Sequence, residues 1–221
     1  MKLLAIETAT EACSAAVLLE GEVLFRHQIA PRQHTALILS MVDQLLQDTG
    51  LQLKDFDALA YGRGPGAFTG VRIATGVIQG LAYGVDLPVI PVSTLAALAQ
   101  SAASTASNII SAIDARMGEI YWCRYVTSGT GLVTALVDEQ VSSPDQILID
   151  ENKSYFGVGT GWETYQSELA TVMGKQLLGS DGNRYPDARD ILSLAEYEYQ
   201  KGNTVSAQDA LPVYIRNKVT G

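Results

Sequence analysis

The segment Gly62–Arg72, with the sequence GRGPGAFTGVR, carries the most information about the fold of this chain. It lies between an apolar run at Phe56–Gly62, which predicts a strand, and a longer one at Thr69–Tyr83, which predicts a helix. A glycine loop at the start of a helix either binds an anion through its backbone N–H groups or lets the chain turn tightly without strain. The glycine spacing matches neither the phosphate loop of nucleoside triphosphatases nor the dinucleotide fingerprint. The local pattern therefore leaves both interpretations open.

The predicted helix that follows contains small residues at four-residue spacing. They form two series, Gly76, Gly80 and Gly84, and Gly66, Gly70 and Ala74. A glycine inside a helix costs about 0.5–1 kcal/mol relative to alanine, so several of them need a structural reason. Four-residue spacing places them on one ridge, where a second helix can approach closely. That helix belongs either to this chain, with His34–Asp48 as the candidate, or to a partner.

The rest of the sequence predicts an α/β protein. Further strands are expected at Lys2–Thr8, Cys13–Glu20, Glu22–Ile29, Val89–Val92, Asn108–Asp114, Glu119–Thr127, near Leu132–Val141 and at Tyr155–Val158. Further helices are expected at His34–Asp48, Thr94–Ser101, Trp162–Val172 and Ala188–Gln200. The small and polar run at 102–107 predicts a linker. It would divide the chain into an N-terminal lobe, residues 1–106, and a C-terminal lobe, residues 107–221.

Each predicted lobe begins with an apolar strand that ends in a carboxylate, Glu7 in the first and Asp114 in the second. This echo favours two similar lobes that face each other across a cleft, although two buried strands can also resemble each other by chance. A carboxylate after a strand can hold a magnesium ion, and nearby hydroxyl and N–H groups can bind phosphate oxygens. We therefore predict a vestigial nucleotide cleft formed by Glu7, Thr8, Thr10, Asp114 and Arg116. The alternative is that both carboxylates merely cap turns.

The charge of the 221-residue chain limits its partners. Its net charge is −9, which opposes direct binding of nucleic acid because phosphate recognition needs a surplus of lysine and arginine. A local basic patch stays an alternative, with the candidates Arg63, Arg72, Arg116 and Arg124. The N-terminal apolar run is too short for a signal peptide, and no uncharged apolar stretch reaches about 18 residues. We therefore expect a cytoplasmic protein that makes no membrane contact.

Five separated segments, in order along the chain, carry a family resemblance. They are Leu4–Ser14, Pro31–Thr35, Gly62–Arg72, Asp114–Trp122 and Pro212–Asn217. Through them nearly the whole chain resembles the TsaB family, also called YeaZ, whose members are subunits of the bacterial machinery that makes threonylcarbamoyladenosine (t6A) in tRNA. One departure is Glu7, where the family more often has aspartate. The resemblance implies the fold of the superfamily of sugar kinases, actin and Hsp70 chaperones (ASKHA), with two similar α/β lobes, each a mixed sheet flanked by helices.

The resemblance also implies a subunit without a catalytic centre. The catalytic sister family, TsaD, has an H-x-x-x-H metal motif in the region where this chain has Ser93–Leu98. Thr94 and Leu98 would stand at the two ligand positions, but leucine cannot ligate iron or zinc and threonine is a poor ligand. The only two histidines, His27 and His34, lie in the first third of the sequence. No metal and no cofactor are therefore expected.

By the same resemblance, the chain would pair with TsaD through helices of its N-terminal lobe and would bind the ATPase TsaE. It would form a homodimer through the same face when TsaD is absent. TsaD would transfer threonylcarbamoyl from threonylcarbamoyl-AMP to N6 of adenosine 37, so this chain would meet tRNA only indirectly. The candidate interface residues are Leu37, Met41, Leu45, Val71, Thr75, Gly76 and Gly80.

Two alternatives from other functional classes stay open at this point. One is a degenerate nucleotide-binding ASKHA protein. The other is a glycopeptidase, an older label of the family, although a hydrolase needs a metal or an activated nucleophile. The sequence contains neither an H-E-x-x-H nor a G-x-S-x-G motif.

Overall fold

The computed structural model describes residues 1–216 of the chain, so Asn217, the last residue of the fifth family segment, lies outside the described part. The strands are β1 (Lys2–Glu7), β2 (Ala12–Leu19), β3 (Glu22–Ile29), β4 (Ala58–Gly62), β5 (Val89–Val92), β6 (Asn108–Arg116), β7 (Glu119–Thr127), β8 (Val133–Ala135), β9 (Gln140–Ser142), β10 (Tyr155–Val158) and β11 (Leu177–Asp181). The helices are α1 (His34–Thr49), α2 (Phe68–Val85), α3 (Thr94–Gln100), α4 (Thr160–Thr164), α5 (Gln166–Met173) and α6 (Ala188–Gln200). Among the described residues, no helix combines the length and apolar character needed to cross a bilayer.

The chain divides into two compact units. The first comprises residues 1–97 and 186–213, and the second comprises residues 98–185 together with the described residues 214–216. This division differs from the predicted boundary between residues 106 and 107. The return of the chain to the first unit at residue 186 is due to α6, which follows the second unit in the sequence but packs on β1, β2, β4 and β5 of the first.

The sheet of the first unit has the order β3-β2-β1-β4-β5. Strands β1, β2 and β3 are antiparallel neighbours, whereas β4 and β5 run parallel to β1. Because β1 and β4 are parallel and adjacent, their carboxyl ends lie side by side. This arrangement places Glu7, the last residue of β1, next to the glycine loop that leaves β4 at Gly62. The loop then enters α2, as the sequence predicts.

The two faces of this sheet are covered by different helices. Side chains alternate between the faces along each strand, and the larger apolar side chains of one face pack with α1 and α2. On the other face, the first N–H of α6, that of Ala188, donates a hydrogen bond to the hydroxyl of Ser14 at 3.0 Å. That face carries a row of fully buried alanines across three strands, Ala16, Ala5 and Ala60. Such small side chains let α6 lie close to the sheet.

The second unit contains a sheet of order β11-β10-β6-β7-β8, with β9 also paired to β7. Strands β6 and β7 form an antiparallel hairpin, and β10 runs parallel to both β6 and β11. Its core is built around two buried tryptophans, Trp122 and Trp162. The indole N–H of Trp162 donates to the carbonyl of Ile110 at 3.0 Å, so the polar edge of this ring is satisfied inside the core.

Three elements of the second unit differ from the sequence predictions. The strand expected near Leu132–Val141 is two short strands, β8 and β9. The helix expected at Trp162–Val172 is two helices, because Tyr165 leaves the helical conformation with φ −121° and ψ 35°. Strand β11 was not predicted, since its sequence LLGSD lacks alternation and becomes a strand by pairing with β10.

Candidate functional site

Glu7 is the most unusual residue of the predicted cleft, because its carboxyl group is completely buried. Oε1 accepts a hydrogen bond from the backbone N–H of Ala9 at 2.5 Å, and Oε2 accepts one from the hydroxyl of Thr94 at 3.2 Å. Thr94 Oγ1 in turn accepts the N–H of Gly64 at 3.2 Å. The acid therefore connects the end of β1 to the start of α3 and to the glycine loop.

The environment of Glu7 favours its neutral form. Burial raises its pKa to about 7 because the charged form loses its hydration, and the hydrogen bonds from Ala9 and Thr94 offset this only in part. The nearby carboxyl group of Asp187 raises the pKa further. Glu7 is therefore partly protonated at neutral pH, whereas a carboxylate that ligates magnesium is ionised.

Gly62 provides the space that the Glu7 carboxyl group fills. A Cβ atom at position 62 would overlap Oε2 of Glu7, so the first glycine of the loop is required by a side chain of this chain. Gly64 has a φ of +95°, which only glycine adopts without strain, and a Cβ there would lie 3.0 Å from the carbonyl oxygen of Val213. These two glycines thus serve tight internal packing.

The start of α2 is packed directly against the turn that follows β1. A Cβ atom on Gly66 would overlap Ala9, and one on Gly70 would overlap the carbonyl of Thr8. Two hydrogen bonds fix this packing: the N–H of Ala67 donates to the carbonyl of Ala9 at 2.8 Å, and the hydroxyl of Thr8 donates to the carbonyl of Gly70 at 2.7 Å. The backbone of the 8–10 turn therefore occupies the approach to this helix N-terminus.

Asp114 and Arg116 belong to the second unit and bind each other. The backbone N–H and the Nη1 group of Arg116 each donate to the Asp114 carboxylate at 2.7 Å. The hydroxyl of Tyr165 lies 3.4 Å from the same carboxylate, and burial together with Asp114 raises the pKa of this tyrosine. The backbone N–H of Asp114 donates to the Thr160 hydroxyl at 3.1 Å. Asp114 is thus held at the end of β6 by hydrogen bonds of its own unit.

A second set of close-packed glycines was missed in the sequence. Gly157, Gly159 and Gly161 form a G-x-G-x-G run between β10 and α4. A Cβ atom on Gly157 would overlap the ring of Trp162, and one on Gly161 would lie 2.9 Å from Cβ of Ala112. This run therefore lets α4 approach the sheet closely, and the spacing alone would have been sufficient to mark it.

The residues of the first unit do not fit a magnesium–nucleotide, the ligand that an ASKHA fold implies. Glu7 is hydrogen-bonded inside the protein and partly protonated, and the turn at 8–10 lies on the N-terminus of α2. Thr10 is buried, and its hydroxyl has no hydrogen-bond partner among the described residues. Within residues 1–216, no group of three or more His, Cys, Asp or Glu side chains is arranged to hold a metal ion.

The two positions compared with the metal motif have structural roles. Thr94 is fully buried and bridges Glu7 and Gly64, as described above. Leu98, the first residue of the second unit, is also fully buried, and its side chain lies against Gly159 of the same unit. Neither side chain faces solvent, so this segment is part of the packed interior.

The predicted partner face needs a correction. Met41, Leu45, Val71 and Thr75 are buried within the first unit itself, because these positions form the inner faces of α1 and α2. Leu37 is partly buried against the same core. These five side chains therefore stabilise the chain's own fold, and they do not form an exposed contact surface.

The glycine positions of that prediction do face outward. Gly76, Gly80 and Gly84 are exposed, and no atom lies within 4 Å of a Cβ built at any of the three. Two large exposed side chains lie toward the ends of the same helix, Phe68 with 51% of its surface accessible and Tyr83 with 72%. We call this surface, formed by Phe68, Gly76, Gly80, Tyr83 and Gly84, the outer face of α2. The closely approaching helix that the spacing predicted is not supplied by the described part of this chain.

The place of His34 at the start of a helix was predicted from the sequence, whereas the contact of His27 was not. His27 Nδ1 lies 2.7 Å from Oδ2 of Asp187, which is buried at the start of α6. Ser14 is the cross-strand partner of His27, so a serine, a histidine and an aspartate are near one another. The Ser14 hydroxyl is fully buried and accepts the N–H of Ala188, so no substrate can reach it in this structure. His34 is buried at the start of α1, 3.2 Å from the carbonyl of Ala12.

The four candidate arginines are divided between the units. Arg63 and Arg72 belong to the first, and the guanidinium of Arg72 lies 3.4 Å from the centre of the Phe68 ring. Arg116 and Arg124 belong to the second, where Arg116 is paired with Asp114. Part of their positive charge is therefore already engaged in contacts within the chain.

Comparison with known proteins identifies relatives over the whole length of the chain. A family model described as TsaD, tRNA N6-adenosine threonylcarbamoyltransferase, matches residues 26–192. The protein of Haemophilus influenzae named tRNA threonylcarbamoyladenosine biosynthesis protein TsaB is 46% identical over 100% of this chain and 95% of its own length. The Escherichia coli protein of the same name is 43% identical over 99% of this chain and 96% of its own length. The solved structure of YeaZ from Pseudomonas aeruginosa is 44% identical, with a TM-score of 0.90 over 96% of this chain and 99% of that one.

Proposed function

This chain belongs to the TsaB family, and from that premise we propose that it is a required, non-catalytic subunit of the complex that makes t6A in tRNA. In this proposal TsaD transfers threonylcarbamoyl from threonylcarbamoyl-AMP to N6 of adenosine 37, while this chain binds TsaD and the ATPase TsaE. It meets tRNA only through that complex, works in the cytoplasm and uses no cofactor of its own. The relatives named for t6A biosynthesis support a role in t6A formation, and the buried, internally bonded residues of the site support the proposal that the chemistry takes place on TsaD.

The outer face of α2 is the observation that carries the proposed partner contact. Its glycines are exposed and have free space above them, although each costs about 0.5–1 kcal/mol of helix stability. A bare glycine ridge flanked by Phe68 and Tyr83 suits a partner helix that packs closely and buries both aromatic rings. We therefore assign TsaD to this face.

The interior of the predicted cleft supports a role without chemistry. A catalytic site needs an accessible group that can act on a substrate. Glu7, Thr94 and Ser14 are fully buried and hydrogen-bonded within the chain. Neither the degenerate nucleotide-binding alternative nor the glycopeptidase alternative is favoured by a particular observation.

The substitution Gly80→Leu on the outer face of α2 tests the proposal. Leucine has the higher helix propensity, so the isolated variant should be at least as stable as the parent. Its side chain should nevertheless prevent close helix packing, and we expect loss of co-purification with TsaD. In cells that depend on this chain, t6A content of tRNA should fall by at least tenfold.

Gly129→Leu is a matched control, since Gly129 also has no atom within 4 Å of a built Cβ but lies in the second unit. This variant should bind TsaD and support t6A formation normally. A Gly80→Leu protein that still pairs with TsaD and sustains tRNA modification would refute the assignment of the partner face.

The homodimer is proposed to use the same face, so TsaD and a second copy of this chain should compete for it. Gly80→Leu should then elute as a monomer under conditions where the parent is a dimer. Analytical ultracentrifugation of both proteins over a range of concentrations measures this. A dimer of unchanged affinity would show that self-association uses another surface.

A further inference from the structure

We propose that the Glu7 side chain is an internal ligand: its carboxyl group fills a nest made by the turn at residues 8–10 and by Thr94. On this view a small carboxylic acid such as acetic acid can take its place once the side chain is shortened. The inference concerns a binding site and does not depend on the proposed partner role.

The donors around Glu7 converge on its carboxyl group from two elements. The backbone N–H of Ala9 comes from the turn after β1, where the N–H of Thr8 also acts to lower the pKa of the carboxyl group, and the hydroxyl of Thr94 comes from the start of α3. Backbone N–H groups in a turn form a concave site for acceptor oxygens, and here burial makes the neutral carboxyl group the favoured occupant. Here the chain supplies the occupant itself.

The space around the Glu7 carboxyl group also matches this group in size. Gly62 leaves open the volume in which Oε2 lies, and a Cβ at that position would overlap it. The carboxyl group is sealed from solvent, with no exposed surface on Glu7. The nest therefore has a donor set, a shaped cavity and an occupant of matching size.

Thr10 is an independent sign that this turn is a polar site. The residue is only 7% exposed, yet its hydroxyl has no hydrogen-bond partner among residues 1–216. A buried hydroxyl without a partner is costly. The Thr10 hydroxyl is thus a further polar group in the 8–10 turn, and Glu7 does not form a hydrogen bond with it.

Acetate is the natural probe, because Glu7→Ala removes a methylene and a carboxyl group, which together have the heavy atoms of acetate. We would measure the thermal midpoint of Glu7→Ala in sodium acetate and in sodium chloride at equal ionic strength and at about pH 5, near the ordinary pKa range of carboxylic acids, where a large part of the added acetate is the neutral acid. We expect a saturable, acetate-specific rise of about 3–5 °C at ten times the dissociation constant. Parent and Glu7→Gln, whose nests are filled, should shift by less than about 1 °C.

Sodium phosphate in a further arm distinguishes a carboxylate-sized nest from a general anion site. The proposal expects phosphate to raise the midpoint of Glu7→Ala less than acetate does, because the cavity matches two oxygens. An equal response of parent and variant to acetate would overturn the proposal, and so would the absence of any acetate-specific response in a folded variant.

A measurement on the unmodified protein keeps the proposal testable if Glu7→Ala does not fold. The amide resonance of Ala9 should follow the ionisation of the carboxyl group it binds between pH 5 and 9, while that of Gly76 on α2 should not. The neighbouring groups are Asp187 at the start of α6, His27 on β3 and Cys13 on β2. The titration is therefore repeated in His27→Gln. An Ala9 resonance that does not change with pH would contradict the internal ligand.

Discussion

Asp187 and His27 are 160 residues apart in the sequence, yet Oδ2 of Asp187 lies 2.7 Å from Nδ1 of His27. The same carboxylate accepts hydrogen bonds from the backbone N–H, Nε and Nη2 of Arg189, each at 2.9 Å. Asp187 is also the N-cap of α6. One buried carboxylate thus fixes the start of the helix that covers the alanine face of the first sheet to the edge strand β3.

Asp187→Ala should destabilise the protein by about 2–3 kcal/mol, through loss of the helix cap and of the buried hydrogen bonds. Urea unfolding at pH 7 measures the difference. Glu22→Ala, at an exposed site on β3, is the control and should change the free energy of unfolding by less than about 0.5 kcal/mol. A loss below about 0.5 kcal/mol for Asp187→Ala would mean that α6 is held by its apolar contacts alone.

The contribution of Asp187 should depend on pH in a defined direction. Burial acts to raise its pKa, but Arg189 and His27 outweigh burial and hold the pKa below its ordinary value of 3.8. A lowered pKa in the folded state stabilises the protein above pH 3.8, and this stabilisation is lost as the pH falls through the folded value. The free energy of unfolding of the parent should therefore exceed that of Asp187→Ala by the largest amount at pH 6, and this difference should decrease below pH 4.

Glu7 should have the opposite dependence, because its pKa is raised from 4.5 to about 7. The folded protein then binds the extra proton between these values, so its stability falls as the pH rises from 4.5 to 7. Glu7→Gln cannot ionise and should be the more stable protein at pH 8, by on the order of 3 kcal/mol. At pH 4.5 most of this gain should disappear. Chemical unfolding of both proteins at several pH values measures it, and two parallel curves would contradict the raised pKa.

Gly62→Ala should destabilise the fold by about 3 kcal/mol, because the new methyl group overlaps the buried carboxyl group of Glu7. The effect should be coupled to Glu7. In the double variant with Glu7→Ala, the methyl group enters vacated space. The double variant should therefore lose less unfolding free energy than the sum of the losses of the two single variants. A double-mutant cycle of unfolding free energies measures the coupling, and strict additivity would show that the two positions do not share one volume.

Gly76→Ala should stabilise the isolated protein by about 0.5–1 kcal/mol, since alanine has the higher helix propensity and its Cβ meets no atom within 4 Å. It therefore contrasts with Gly62→Ala, in which the same chemical change meets a filled site. Urea unfolding of both variants and of the parent under identical conditions gives the free energies of unfolding to be compared. Destabilisation by Gly76→Ala would indicate that this position of α2 is already covered, as in a homodimer.

Much of the fold could be predicted because it is encoded locally. The apolar spacing of α1 ends at Gly50, which adopts the left-handed conformation with φ 67° and stops the helix where expected. The α/β class followed from strands that alternate with helices, and the confirmed two-lobe architecture followed from the small polar run at 102–107, the echo between the two halves and the family resemblance. The boundary could not be read in the same way, because the apolar stripe of α6 shows that the helix is amphipathic and does not show which sheet it covers.

The candidate site shows the same limit. Helical periodicity correctly groups Leu45 with Met41 and Val71 with Thr75, but it cannot tell whether such a face meets the chain's own core or a partner. The outward direction of Gly76 and Gly80 follows only once the inner face is known. The contact between His27 and Asp187 has no local signal, since the two residues meet through the pairing of β3 and the placement of α6.

The first unit is built from residues 1–97 and 186–213, and this has a consequence for the folding of the chain while it is made on the ribosome. During translation the alanine row of its sheet has no cover until α6 leaves the ribosome. At about 5–20 residues per second, the intervening segment takes on the order of 5–20 s to synthesise. By the end of that interval the second unit has nearly all of its own chain, whereas the first still exposes an apolar sheet face to the cell. The nascent chain should therefore be most vulnerable to aggregation and proteolysis after the helices of its amino-terminal part have formed and before its last helix is made.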